Sequence, residues 1–91
     1  MEYLVIDLEM CKVAKCYSRN IFNHGSEIIQ IGAVLLDEEY KQTAVLRQYI
    51  HPVYGVIDNY IQKLTGIGPE NVKNAPVLEE GLKRLMDLTM P

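Results

Sequence analysis

The segment Tyr3-Leu4-Val5-Ile6-Asp7-Leu8-Glu9 constrains the fold more than any other part of the chain. An apolar run containing β-branched residues leads directly into two carboxylates. Such a run reads as a buried strand whose C-terminal end carries acids. Residues i and i+2 of a strand point to the same face, so Asp7 and Glu9 share one side. Two carboxylates placed together repel and lose solvation unless something positive joins them. Taken alone, the pair also fits a solvated strand end. Its position, after a buried run and before a long polar loop, favours a site for a hard divalent cation. Mg²⁺ and Mn²⁺ take oxygen ligands of this kind.

The loop spans residues 10–26 and carries Lys12, Lys15 and Arg19. These cations either touch a nucleic-acid backbone beside the carboxylates or belong to a solvated loop. Glu27-Ile28-Ile29-Gln30-Ile31-Gly32-Ala33-Val34-Leu35-Leu36 reads as a second strand. Residues 37–41 form a charged turn, and residues 43–50 a third strand, which argues for an antiparallel hairpin. His51-Pro52 ends it, since proline donates no ladder hydrogen bond. Ile57, Tyr60, Ile61 and Leu64 fall on one helical face. Gly66 stops that helix, in a left-handed conformation, and Pro69 opens the next turn. Val77, Leu78, Leu82, Leu85 and Met86 form the apolar stripe of a last helix, within which Gly81 marks close packing. The expected elements are strands at about 3–9, 27–36 and 43–50 and helices at about 57–64 and 77–88.

Composition limits the alternatives. Nine Lys+Arg against twelve Asp+Glu give a net charge of −3, with 48% hydrophobic and 23% charged residues. This is ordinary globular composition; it excludes a disordered polar chain and a strongly basic nucleic-acid clamp. No apolar run approaches the roughly 20 residues of a membrane span. The start of the chain lacks a basic n-region, so a cytoplasmic location is expected, with Cys11 and Cys16 as free thiols. Cys11, Cys16 and His24 have a loosely zinc-like spacing, but no fourth ligand is evident.

The stretch Val5-Ile6-Asp7-Leu8-Glu9 resembles the first motif of the DEDD-type 3′–5′ exonucleases, the family of ribonuclease T and the polymerase proofreading exonucleases. The strand Glu27-Ile28-Ile29-Gln30-Ile31-Gly32-Ala33-Val34 resembles the family's second strand. His51-Pro52, Leu64-Thr65-Gly66-Ile67 and Ala75-Pro76 follow in the family's order. Five weak matches in order, at compatible spacing, make a specific one. They cover essentially the whole chain and about half of the family's domain.

The resemblance implies an α+β chain (α/β in the family's classification) with the ribonuclease H-like exonuclease fold, truncated. Residues 1–91 would be a single partial domain, with a mixed sheet of three strands followed by helices. It implies that Asp7 ligates two metal ions, Mg²⁺ or Mn²⁺, and Glu9 one of them. Backbone near Leu8 and Met10 would line the site for the terminal nucleotide, and Thr65 and Ile67 would lie near the 3′ end of a single-stranded RNA or DNA, with RNA slightly favoured. The family's third Asp, its catalytic His and its fourth Asp have no counterpart here. The 91 residues alone are therefore expected to be inactive. The alternative function is a non-catalytic interaction module. In the family the first strand is central; here one of its edges would be open, to bind a partner or to form a homodimer.

Overall fold

A computed structural model of the chain describes residues 1–13 and 25–89. Among these, strands β1 (Tyr3–Val13), β2 (Ser26–Leu36), β3 (Gln42–Tyr49) and β4 (Gly55–Val56) form one sheet in the order β3-β2-β1-β4. Helices α1 (Asn59–Thr65), α2 (Pro69–Val72) and α3 (Leu78–Thr89) follow. No helix among the described residues is long and apolar enough to cross a membrane.

The α+β order matches the sequence reading, with differences in detail. Every pairing is antiparallel, where a mixed sheet of three strands was expected. A parallel neighbour needs a long crossover, and the short β4 instead runs back along β1. β1 also continues past Glu9 to Val13, because Cys11 and Val13 are buried and Lys12 and Val13 pair with Val56 and Gly55. Helix α1 begins two residues later than its periodicity suggests. Asp58 caps it, its Oδ1 accepting from the Ile61 N–H at 2.9 Å, so Ile57 packs from outside the helix.

A β-bulge divides the sheet's packing. Glu9 pairs with Gln30 but Met10 pairs with Ile28, which leaves Ile29 as the extra residue on β2. A bulge re-aims a side chain at the cost of one ladder position. Beyond it Ile29, fully buried, joins Cys11, Ile57, Ile61, Ile67 and Val72 in a core beneath α1 and α2. Before it Ile31 packs with Ile50 near Gly81 of α3. Among the described residues the apolar packing thus lies on both sides of the sheet, one part under α1 and α2 and one under α3. Gly81 is where α3 meets the sheet: a Cβ there would overlap Ile50 Cδ1, which is the close packing the helical glycine predicts.

One side chain ties the connection after β3 to the sheet. The Glu27 carboxylate accepts backbone N–H bonds from Val53, Tyr54 and Gly55, at 2.6, 2.8 and 2.6 Å. This fixes Gly55 against β1, where a Cβ would strike Cys11 Sγ and come within 3.0 Å of the Lys12 carbonyl. Only a glycine fits so near another backbone.

Candidate metal centre and nucleic-acid face

Asp7 and Glu9 lie before the bulge, in the regular part of β1, opposite Gly32 and Gln30. Regular pairing keeps residues i and i+2 on one face, so both carboxylates point to the same side. Asp7 is exposed and Glu9 half-buried. Among the described residues neither is in an ion pair. Among the described residues no cation neutralises them.

The register carries this face across three strands. Asp7 stands opposite Gly32, and Gly32 opposite Arg47; Glu9, Gln30 and Tyr49 form the next row; Val5, Val34 and Val45 form the row on the other side. Gly32 contributes no side chain, so the sheet is hollow between Asp7 and Arg47. A shallow depression of about 210 Å³ lies there, lined by both residues and by the valine row. Arg47 is exposed, with no ion pair or hydrogen bond of its side chain among the described residues. At strand spacings of about 4.8 Å its backbone lies roughly 10 Å from that of Asp7. Sequence reasoning missed Arg47, because only the pairing of three strands brings it to the carboxylates.

The side chains of Leu8 and Met10 alternate away from this face. Leu8 stands opposite Ile31 on the side of α3, and Met10 opens onto a separate cavity of about 780 Å³ with Ile28, Tyr54 and Val77. Only their backbone belongs to the carboxylate strand. Cys11, two residues beyond Glu9, enters the core under α1 and α2. These helices therefore cover the carboxylate side of the sheet, just past Glu9.

The turn at the end of α1 is built locally. Thr65 Oγ1 donates to the Ile61 carbonyl at 2.8 Å and accepts from the Ile67 N–H at 3.1 Å. Gly66 takes the left-handed conformation, φ 77°, and its N–H closes the helix on the Gln62 carbonyl. The helix stop read from the sequence is present. Ile67 is 2% exposed, its side chain in the core. The Thr65 hydroxyl is already engaged with the backbone.

Other sequence candidates resolve differently. Cys11 is buried, and burial, with Glu27 nearby, pushes its thiol up to about 11. It is core rather than ligand, and Cys16 and His24 lie outside the described residues. Lys12 sits with its ammonium 5.5 Å from the centre of the Tyr60 ring, a cation–π contact; Lys15 and Arg19 also lie outside the described residues. No cluster of three or more His, Cys, Asp or Glu side chains suited to a metal occurs among the described residues. The two carboxylates are hard oxygen donors, of the chemistry that suits Mg²⁺ or Mn²⁺, and by themselves would make only part of a coordination shell.

This sheet order, with an Asp-x-Glu pair on the open face of its first strand, defines a ribonuclease H-like α+β domain. The chain belongs to the Exonuclease family of RNase T type, which it matches over residues 4–90; it is a DEDD-type exonuclease domain sequence. It is 33% identical over 86 residues to the PolC-type DNA polymerase III of Caldanaerobacter subterraneus subsp. tengcongensis, a match covering 94% of this chain and 5% of the polymerase. Among solved structures it is similar to a full-length 3′-exonuclease, with TM-score 0.75 and 25% identity over 96% of this chain and 28% of that one. A 3′-exonuclease recognising the histone mRNA stem-loop gives TM-score 0.77 and 26% identity, over 96% and 38%. The nuclease domain of 3′hExo, a DEDDh member bound to rAMP, gives 0.74 and 25%, over 94% and 42%. The chain spans about one-twentieth of the polymerase and less than half of each solved protein.

Proposed function

We propose that this chain forms the first part of a metal-dependent 3′–5′ exonuclease site acting on single-stranded 3′ ends, with RNA slightly favoured over DNA. The observation that carries the reading is the unpaired Asp7–Glu9 carboxylate face on β1, in the position of the family's first motif. Asp7 and Glu9 would hold Mg²⁺ or Mn²⁺ through their oxygens. Such an ion, when bound, supplies positive charge for the scissile phosphate and a more acidic water. The chain's own contribution is to present two carboxylates on a rigid strand. Arg47 offers a cation to a phosphate across Gly32, and backbone at Leu8 and Met10 borders the terminal nucleotide. The turn at Thr65 and Ile67 approaches the 3′ end through its backbone, since Ile67's side chain is in the core. Two of the solved relatives support RNA by what they are described with, a histone mRNA stem-loop and rAMP.

With a partial ligand set, the 91 residues bind metal weakly and hydrolyse little or nothing by themselves. The test is Mn²⁺ titration followed by electron paramagnetic resonance. Saturable binding that Asp7→Ala abolishes is expected. No binding at millimolar Mn²⁺ would refute the half-site. It would favour the second reading, a non-catalytic module that binds a partner through the open edge of β1, for which the exposed apolar residues of that strand speak.

A further inference from the structure

Asp7 and Glu9 differ in what stands opposite them on β2. Asp7 faces Gly32 and meets bare backbone, whereas Glu9 faces Gln30 and meets an amide; Val34 follows in the next row, opposite Val5. Gln30 is thus the polar side chain that β2 offers beside the two acids. Directly opposed residues of an antiparallel pair have Cβ atoms about 4.5–5.5 Å apart, so a Gln amide and a Glu carboxylate in that arrangement can reach one another. Both residues are half-buried. The Gln30 backbone is held from two sides. Its neighbour Ile29, the extra residue of the bulge, has a fully buried side chain, and its carbonyl accepts the Ile50 N–H at 2.8 Å. Its partner on β3, half-buried Tyr49, packs against the core under α1 and α2. Among the described residues no group competes for the donors of the Gln30 amide.

We propose that Gln30 is a positioning residue for Glu9: its amide N–H donates to the Glu9 carboxylate and turns it toward Asp7, so that both acids reach one ion. Such a role rests on the exonuclease-site reading of Asp7 and Glu9, and deepens it. A Glu side chain has one more rotatable bond than Asp, so its oxygens lose more freedom when they are held in one place. A donor on the facing strand restricts them in advance. Carboxylates that ligate a metal are themselves hydrogen-bonded, through lone pairs that the ion does not use. The bond is charge-assisted on the acceptor side, hence stronger than one between neutral groups. A lysine or arginine at position 30 would neutralise Glu9 and compete with the ion; a neutral amide orients the carboxylate and leaves its charge to the metal. The amide oxygen is the poorer candidate for the ion itself, because the two carboxylates beside it are charged donors and it is not.

Mn²⁺ affinity, read by electron paramagnetic resonance, is the first measurement. Gln30→Met keeps the length of the side chain and removes the donor. It is expected to weaken Mn²⁺ binding about tenfold, while far-UV circular dichroism shows the fold intact. In a Glu9→Ala background the same substitution is expected to change nothing, since no carboxylate is left for the amide to turn. Equal losses in both backgrounds would make Gln30 merely structural and overturn the positioning role. The second measurement needs no change at position 30. With Mg²⁺ present, the side-chain amide protons of Gln30 are expected to resonate downfield of their positions in Glu9→Ala, as a hydrogen bond to a carboxylate requires. A Mg²⁺-dependent shift of the Gln30 side-chain carbonyl carbon with unmoved amide protons would make the amide oxygen a ligand and overturn the donor role. Unchanged Mn²⁺ affinity in Gln30→Met, alongside binding that Asp7→Ala abolishes, removes Gln30 and keeps the exonuclease reading. Absence of Mn²⁺ binding by the unsubstituted chain takes both down.

Discussion

Asp7 and Arg47 occupy one row and one face of the sheet, with only the bare backbone of Gly32 between them. The two do not form an ion pair with each other, yet both border the same depression. On the exonuclease reading proposed above, a phosphate would lie between the carboxylate and the guanidinium.

Arg47→Ala is therefore expected to weaken binding of single-stranded oligonucleotides. If Arg47 meets one phosphate, the slope of log K against log salt falls by about 0.7. Fluorescence anisotropy at several salt concentrations measures it. An unchanged slope would remove Arg47 from the interface. Filling the hollow with Gly32→Val would test the same face, since that side chain would stand between Asp7 and Arg47.

Gly81 and Ile50 are expected to behave as a coupled pair. Gly81→Ala forces overlap with Ile50 Cδ1, at about 1–3 kcal/mol, partly offset by about 1 kcal/mol of helix propensity. Ile50→Val removes that methyl group and costs about 1 kcal/mol in a fully buried site. The double variant should cost less than the sum of the two, by about 1 kcal/mol, in a urea-unfolding double-mutant cycle. Additive losses would mean that the helix can shift to absorb the new methyl group.

Glu27 is expected to be structural. Glu27→Ala leaves three backbone N–H groups without their acceptor and should destabilise the fold by about 2–3 kcal/mol. Glu27→Gln keeps one acceptor oxygen and should lose about half as much. Urea midpoints measure both. Hydrogen exchange should then show β4 released from β1, while the β1–β2 ladder keeps its protection.

Cys11 gives a pH dependence with a definite sign. Burial holds the folded thiol protonated up to about 11, against an ordinary value of 9.0. Between those values the unfolded chain has lost the proton and the folded chain keeps it, so stability falls as pH rises through the window and is complete below it. Cys11→Ala should flatten the fall between pH 9 and 11. In a Cys16→Ser background the folded chain should resist iodoacetamide at pH 8 and react on unfolding.

Local chemistry was legible in the sequence. The Asp-x-Glu at the end of an apolar run, the glycine stop at Gly66, Pro69 in the first turn of α2 and the packing demand at Gly81 all follow from neighbours a few residues away. Features that depend on distant pairing were not. Arg47 reaches the carboxylate face only through the register of three strands. Glu27 looks like an exposed strand end until residues 53–55 fold back onto it. Ile67 reads as a turn residue and is core, because α1 and α2 close over Cys11. Even the length of β1 depended on β4, a two-residue strand too short to leave a pattern.

Val5, Val34 and Val45 run beside the Asp7 row, and two of the three are about half exposed. Branched alkyl groups have neither donors nor acceptors for the edge of a nucleobase. Whatever rests on that shelf is gripped by contact area alone, so adenine and uracil would be distinguished there only by size.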